Sequence, residues 1–306
     1  MASPIIELSS PRDRVSGLIC AILCSIGLGL AVALGRVAFD GGTTPLMVAL
    51  CRSVFSIGLM AAICVATGQS LRPPKGSWPH LLFLGLLFSH MAFGNIGSTK
   101  YIPVGLAALL FFVYPPVVAL INAVAVRRAP SLIKVAAIVT SFAGLAVMLG
   151  VGFEELDPRG VVIGLTAGIA CAVNMVWLSR RATGLHPFVI VFYQSIIAAV
   201  VMLVLAVQLD ELRLPTMTSG WWGLWSVVLL QSCSISLFYF AIRRIGAEPT
   251  AMLNNLQPVA SIVGAMFLFQ EFLTIERVFG AAMALGGILL MQWTDARRRR
   301  GRAKAP

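Results

Sequence analysis

The chain has 306 residues, 58% hydrophobic and only 11% charged, with 23 Lys and Arg against 12 Asp and Glu for a formal net charge of +11. A soluble domain carries about 25% charged residues, and so few polar groups could not cover so much apolar surface. The soluble enzyme classes are thereby excluded, and the expected fold class is an all-α integral membrane protein, since the apolar residues come in long runs and do not alternate as a β-barrel requires.

Arg12 and Arg14 precede the first apolar segment, 15–37, which is too long for the core of a secretory signal and reads as an uncleaved helix. Gly41-Gly42 separates it from 45–67, and Pro73-Pro74 separates that from 79–98. Segments follow at 104–126, 131–151, 160–179, 187–207, 220–241, 247–269 and 274–293, set apart by Pro103, Pro130, Pro158, Pro187, Pro215 and Pro249. Ten transmembrane helices are expected.

Lys and Arg divide unevenly between alternate ends of these segments. One side collects Arg12, Arg14, Arg72, Lys75, Arg127, Arg128, Lys134, Arg180, Arg181, Arg243, Arg244, Arg297 to Arg300, Arg302 and Lys304. The other holds Arg36, Lys100, Arg159, Arg213 and Arg277, with Arg52 inside a helix. The positive-inside rule then puts both termini in the cytoplasm, in the inner (plasma) membrane of a cell. The basic C-tail, 294–306, suits anionic lipid headgroups beside a final helix better than nucleic acid. The six cysteines lie in apolar runs without metal-ligand spacing, and no cofactor is expected.

Residues 102–150 align on 245–293 at a constant offset of 143, pairing Ile102 with Ile245, Pro115 with Pro258, Gly144 with Gly287 and Met148 with Met291. Gly17 and Gly160 share the same offset. Each half, 15–151 and 152–293, holds five helices. Because five is odd, the second copy enters the membrane from the opposite side, and inverted repeats of this kind are an architecture of secondary transporters.

The stretches Ile102–Gly150 and Ile245–Gln292 resemble the end pattern of the EamA-like branch of the drug/metabolite transporter superfamily: a small-residue helix start, a mid-helix Pro, a closing Glu and a Gly-rich last helix. Pro258, Glu271, Gly280, Gly286 and Gly287 take those places, and Arg52 resembles an arginine the family often carries in its second helix. Arg128 departs from the pattern, standing where the first copy would have Glu. The resemblance implies a permease. Its substrate would be a small organic metabolite, often an amino acid or relative, moved by alternating access and commonly exported. The alternatives are an uptake permease or a non-transporting interaction or sensor protein; three scattered histidines and acid-poor spans supply no catalytic constellation for an intramembrane enzyme.

Polar groups inside a bilayer are costly and tend to face a cavity or a partner helix. Arg52 would hold a substrate carboxylate, or else snorkel outward or pin a carbonyl. Asn254, Asn255 and Gln257 directly precede Pro258, which removes the usual donor to the Asn254 carbonyl; a polar pocket or helix–helix bonding would follow. Their repeat mates Phe111, Phe112 and Tyr114 precede Pro115-Pro116, so one half offers amides and the other aromatics. The substrate is expected there, with Pro115 and Pro258 as helix breaks. Gln194, near the repeat mate of Arg52, is a further candidate. Asn95, Asn174, Gln231, Tyr193, Trp177 and Tyr239 read first as helix–helix bonds or interface anchors. Gly27, Gly29, Gly94, Gly97, Gly168, Gly264 and Gly286 read as points of close helix approach. No Asp or Glu falls at mid-span, so coupling through a midplane carboxylate is disfavoured, and His90 and Glu271 are the candidates for proton coupling.

Overall fold

The computed structural model describes residues 11–98, 101–102, 104–126, 130–150, 157–182, 184–269 and 274–303. Among the described residues there are twelve α-helices and no strand: α1 (Pro11–Asp40), α2 (Pro45–Ala66), α3 (Trp78–Gly97), α4 (Val104–Phe111), α5 (Tyr114–Val126), α6 (Leu132–Met148), α7 (Pro158–Arg180), α8 (Pro187–Gln208), α9 (Thr218–Ile245), α10 (Ala247–Leu253), α11 (Leu256–Phe269) and α12 (Ile275–Ala303).

Proline in the first turn starts several of these helices, where its missing N–H costs nothing and its fixed φ suits the helix. The residue before it supplies the cap. Thr44 Oγ1 accepts from Met47 N, Asp157 Oδ1 accepts from Arg159 N at 2.8 Å, and His186 Nδ1 accepts from Phe188 N at 3.4 Å. Two differences from the sequence reading stand out. The segments expected at 104–126 and 247–269 are each two helices, α4–α5 and α10–α11, because proline interrupts the backbone ladder in both. The last helix passes 293 and runs on to Ala303, since Ala and Arg are strong helix formers and no breaker intervenes before Gly301. Among the described residues seven stretches are long and apolar enough to cross a bilayer, two of them running through these breaks, and Trp78–Gly94 and Leu132–Met148 are shorter apolar helices.

Packing follows one pattern twice. Exchanging the halves turns the α1–α9 contact into α7–α3, α1–α11 into α7–α5 and α2–α9 into α8–α3, while α2–α8 and α6–α12 map onto themselves; all of these pairs touch. The side chains repeat it. A methyl built on Gly17 would lie 2.7 Å from Ile245 Cγ2, and one on its mate Gly160 would lie 2.8 Å from Ile102 Cγ2. At the α6–α12 crossing, a methyl on Gly144 would lie 2.6 Å from the Gly280 carbonyl oxygen, and one on Gly287 would lie 2.6 Å from that of Ala137.

The ends of the bundle are tied separately. Where α1 turns into α2, Thr43 Oγ1 donates to the Arg213 carbonyl at 2.8 Å, and Thr216 N donates to the Gly41 carbonyl at 2.9 Å. At the end holding the N-terminus of α1, Lys134 of α6 pairs with Glu248 of α10, and Arg243 Nη1 donates to the Leu185 carbonyl at 2.6 Å. The largest core cluster lies between these ends and includes Leu84, Tyr114, Cys171, Met175 and Tyr239.

Candidate substrate cavity

The two helix breaks meet at the level of the central core. α10 ends at Leu253 and α11 starts at Leu256, with Asn254 and Asn255 in the turn between them. The Asn254 carbonyl, expected to lack a donor, accepts from Gln257 N at 2.9 Å. The turn tightens to an i→i+3 bond and satisfies the group that proline would have stranded. The Ser25 hydroxyl reaches the same turn from α1, 2.9 Å from Asn254 Oδ1 and 3.1 Å from the Leu253 carbonyl oxygen. The repeat mate of Ser25 is Gly168, where a methyl would lie 2.8 Å from the Leu110 oxygen and 2.7 Å from that of Phe111. So α7 meets the α4–α5 break by direct approach, and α1 meets the α10–α11 break through a hydroxyl.

From these breaks a cavity of about 260 Å³ runs between α1, α2, α3 and α9 toward the end where Phe39 and Pro45 sit. Its walls are largely apolar and aromatic, including Leu28, Val48, Phe88, Phe111 and Phe238. Its polar groups are few: Tyr114, Asn174, Tyr239, Asn254 and Gln257 at the depth of the breaks, and Arg52 with Gln231 higher up. Arg52 Nη1 donates to Gln231 Oε1 at 3.0 Å, and the guanidinium carbon stands 5.6 Å from the centre of the Phe88 ring. Among the described residues no carboxylate lies within ion-pair distance of Arg52. The Tyr114 side chain is 1% exposed, and its hydroxyl, beside Asn254, has no hydrogen-bond partner at normal geometry. An apolar cavity with a few convergent polar groups is the ordinary form of a small-molecule site.

The profile of the EamA-like transporter family matches residues 15–150 and, a second time, 158–293. The chain belongs to this family. A threonine/homoserine exporter, RhtA, of Salmonella typhimurium is 29% identical over 81% of this chain and 80% of its own length. An uncharacterised transporter of Bacillus subtilis, YvbV, is 22% identical over 92% of each chain. A solved crystal structure of a protein 18% identical superposes with a TM-score of 0.77 over 92% of this chain and 98% of its own, so the fold is shared. The EamA-like chain is therefore a multi-pass membrane transporter.

Among the residues singled out in this EamA-like sequence, Arg52, Tyr114, Asn254 and Gln257 line one cavity. Asn255 does not. It turns to α6, where Nδ2 donates to Ser141 Oγ at 2.8 Å. Gln194 lies behind the wall at 1% exposure, its amide donating to the Leu84 carbonyl at 2.9 Å while its oxygen accepts from Tyr239. Asn174 shares both partners, 3.2 Å from the Leu84 carbonyl and 3.4 Å from the Tyr239 hydroxyl. His90 sits on the exposed side of α3, 3.2 Å from Thr166 Oγ1 and away from the cavity. Pro115 and Pro258 are buried in the first turns of α5 and α11. Glu271 and Arg128 lie outside the described residues. Gln231 and Tyr239 were legible only as generic polar residues in a span; their facing Arg52 and Gln194 is set by how α9 packs on α2 and α8.

Proposed function

We propose that this chain is a secondary transporter that moves a small organic metabolite bearing a carboxylate across the inner membrane, in the export direction, by alternating access. Two inverted five-helix copies, 15–151 and 152–293, would rock about the paired breaks. The observation that carries the reading is Arg52: a guanidinium in an apolar cavity, held by Gln231 and Phe88, without a carboxylate of the described chain beside it. Such a charge is costly in a low-dielectric place and gains most from an anionic ligand that takes two parallel N–H bonds. Export is supported by the RhtA relatives, which are named as exporters. Both termini face the cytoplasm in this scheme, with the basic tail on anionic headgroups. An impermeant thiol reagent should then reach a cysteine placed at Glu211 from outside intact cells and not one at Arg300.

The test is a thermal-stabilisation screen of the purified full chain against amino, hydroxy and oxo acids, followed by affinity and unliganded melting temperature for four variants. Arg52→Gln should weaken binding by about 10- to 150-fold, the worth of a hydrogen bond to a charged group. Gln257→Ala and Asn254→Ala should weaken it less. Asn255→Ala should lower the melting temperature and leave affinity alone, because its tie to Ser141 is structural. Ligands that lack a carboxylate, or that bind Arg52→Gln as well as the native chain, would sink the reading.

A further inference from the structure

The cavity carries a cation but, among its described lining residues, no anion. Resting on the carboxylate site proposed above, we infer that the preferred substrate is a net monoanion with an apolar body, a 2-hydroxy or 2-oxo acid in place of the corresponding zwitterionic amino acid.

The argument is one of charge placement. A carboxylate on Arg52 neutralises the guanidinium and leaves the occupied cavity uncharged. Gln231 turns its oxygen to Arg52, so its amide N–H pair remains available as a second donor to the same carboxylate. An α-ammonium is one carbon from the carboxylate and so would stand about 6 Å from a guanidinium that the carboxylate bonds, without a counter-charge among the described lining residues. Like charges at that separation, at an effective dielectric near 20, oppose binding by at least about tenfold, and stripping water from an ammonium adds to the penalty. A 2-hydroxyl or 2-oxo group makes no such demand. The deep polar groups, the Tyr114 hydroxyl beside Asn254 and the Gln257 amide, are neutral, so they offer the ligand hydrogen bonds but no counter-charge to an ammonium. The RhtA relatives are named for zwitterionic amino acids, so this chain would differ from them in the charge of its cargo.

The experiment measures binding of matched pairs to the purified full chain: 3-phenyllactate against phenylalanine, and 2-hydroxyisocaproate against leucine. The hydroxy acids are expected to bind at least about tenfold tighter. In Arg52→Gln both members weaken and the ratio falls toward one. In Gln257→Glu, nearly the same shape with a negative charge, the preference is expected to move toward the amino acids. Equal or tighter binding of the amino acids to the native chain, with both still dependent on Arg52, overturns this inference and leaves the carboxylate site standing. Binding of neither series, or binding indifferent to Arg52→Gln, overturns both.

Discussion

Gly144→Ala and Gly280→Ala should each cost about 3 kcal/mol of stability, at the upper end of what overpacking a close contact costs, whereas Gly286→Ala should cost nothing. The three residues lie on the same pair of helices and differ in what a methyl would meet. On Gly144 it would be 2.4 Å from the Ala284 backbone nitrogen; on Gly280 it would be 2.4 Å from that of Met148. Neither obstacle can rotate away, so α6 and α12 must separate along the whole crossing. Nothing stands within 4 Å of a methyl on Gly286, and alanine there gains about 0.5–1 kcal/mol of helix preference over glycine. The contrast sharpens at Gly287, one residue on, where a methyl would meet the Ala137 carbonyl oxygen at 2.6 Å. Denaturant unfolding of the detergent-solubilised protein measures all four variants. A Gly144→Ala protein as stable as the parent would mean that the two helices do not cross at this distance.

Those glycines mark what the chain discloses and what it withholds. The shared offset of Gly144 with Gly287, and of Gly17 with Gly160, is written in the sequence, as are the breaks at Pro115 and Pro258 and the starts at Pro45, Pro158 and Pro187. Which face of a helix a residue occupies is not. In a water-soluble helix the apolar stripe reports the buried side; in these helices every side is apolar, so Gly286 and Gly287 look alike although only Gly287 is at a crossing. The same blindness applies to Asn254 and Asn255. Neighbours in a helical turn point about 100° apart, and the kink at the break sets their phase. One amide reaches the cavity and the other reaches Ser141. Arg52 could be located in depth from its distance to the helix end, but its turn toward Gln231 depends on α9, far along the chain. His90 shows the reverse: a polar residue at mid-span whose face is the exposed one.

Tyr239→Phe should destabilise the protein by about 2 kcal/mol, because one hydroxyl serves two buried amides. Tyr239 donates toward Gln194 Oε1 and lies 3.4 Å from Asn174 Oδ1, while both amides donate to the single carbonyl of Leu84. This knot joins α3, α7, α8 and α9 at the cavity wall, with Asn174 and Tyr239 lining it and Gln194 behind it, and all three side chains are at most 2% exposed. Deleting the hydroxyl strands one or both oxygens, each at about 1–3 kcal/mol. Adding Gln194→Leu removes a stranded oxygen together with its amide, so the double variant should recover part of the loss, a coupling that independent sites do not show. The knot also bears on transport. It holds together the four helices at the deep end of the cavity, so in the alternating-access scheme proposed above the knot would have to part before the opposite end could open. Loosening it by about 1.4 kcal/mol in the closed arrangement alone would raise the opened population about tenfold. A cysteine placed at Ser179, near the end of α7 beyond the knot, should then react faster with a soluble thiol reagent in Tyr239→Phe than in an otherwise native cysteine-free background. An unchanged rate beside a lowered melting temperature would make the knot a structural tie only, and would move the closure to the aromatic packing of Trp177 with Phe83 and His80.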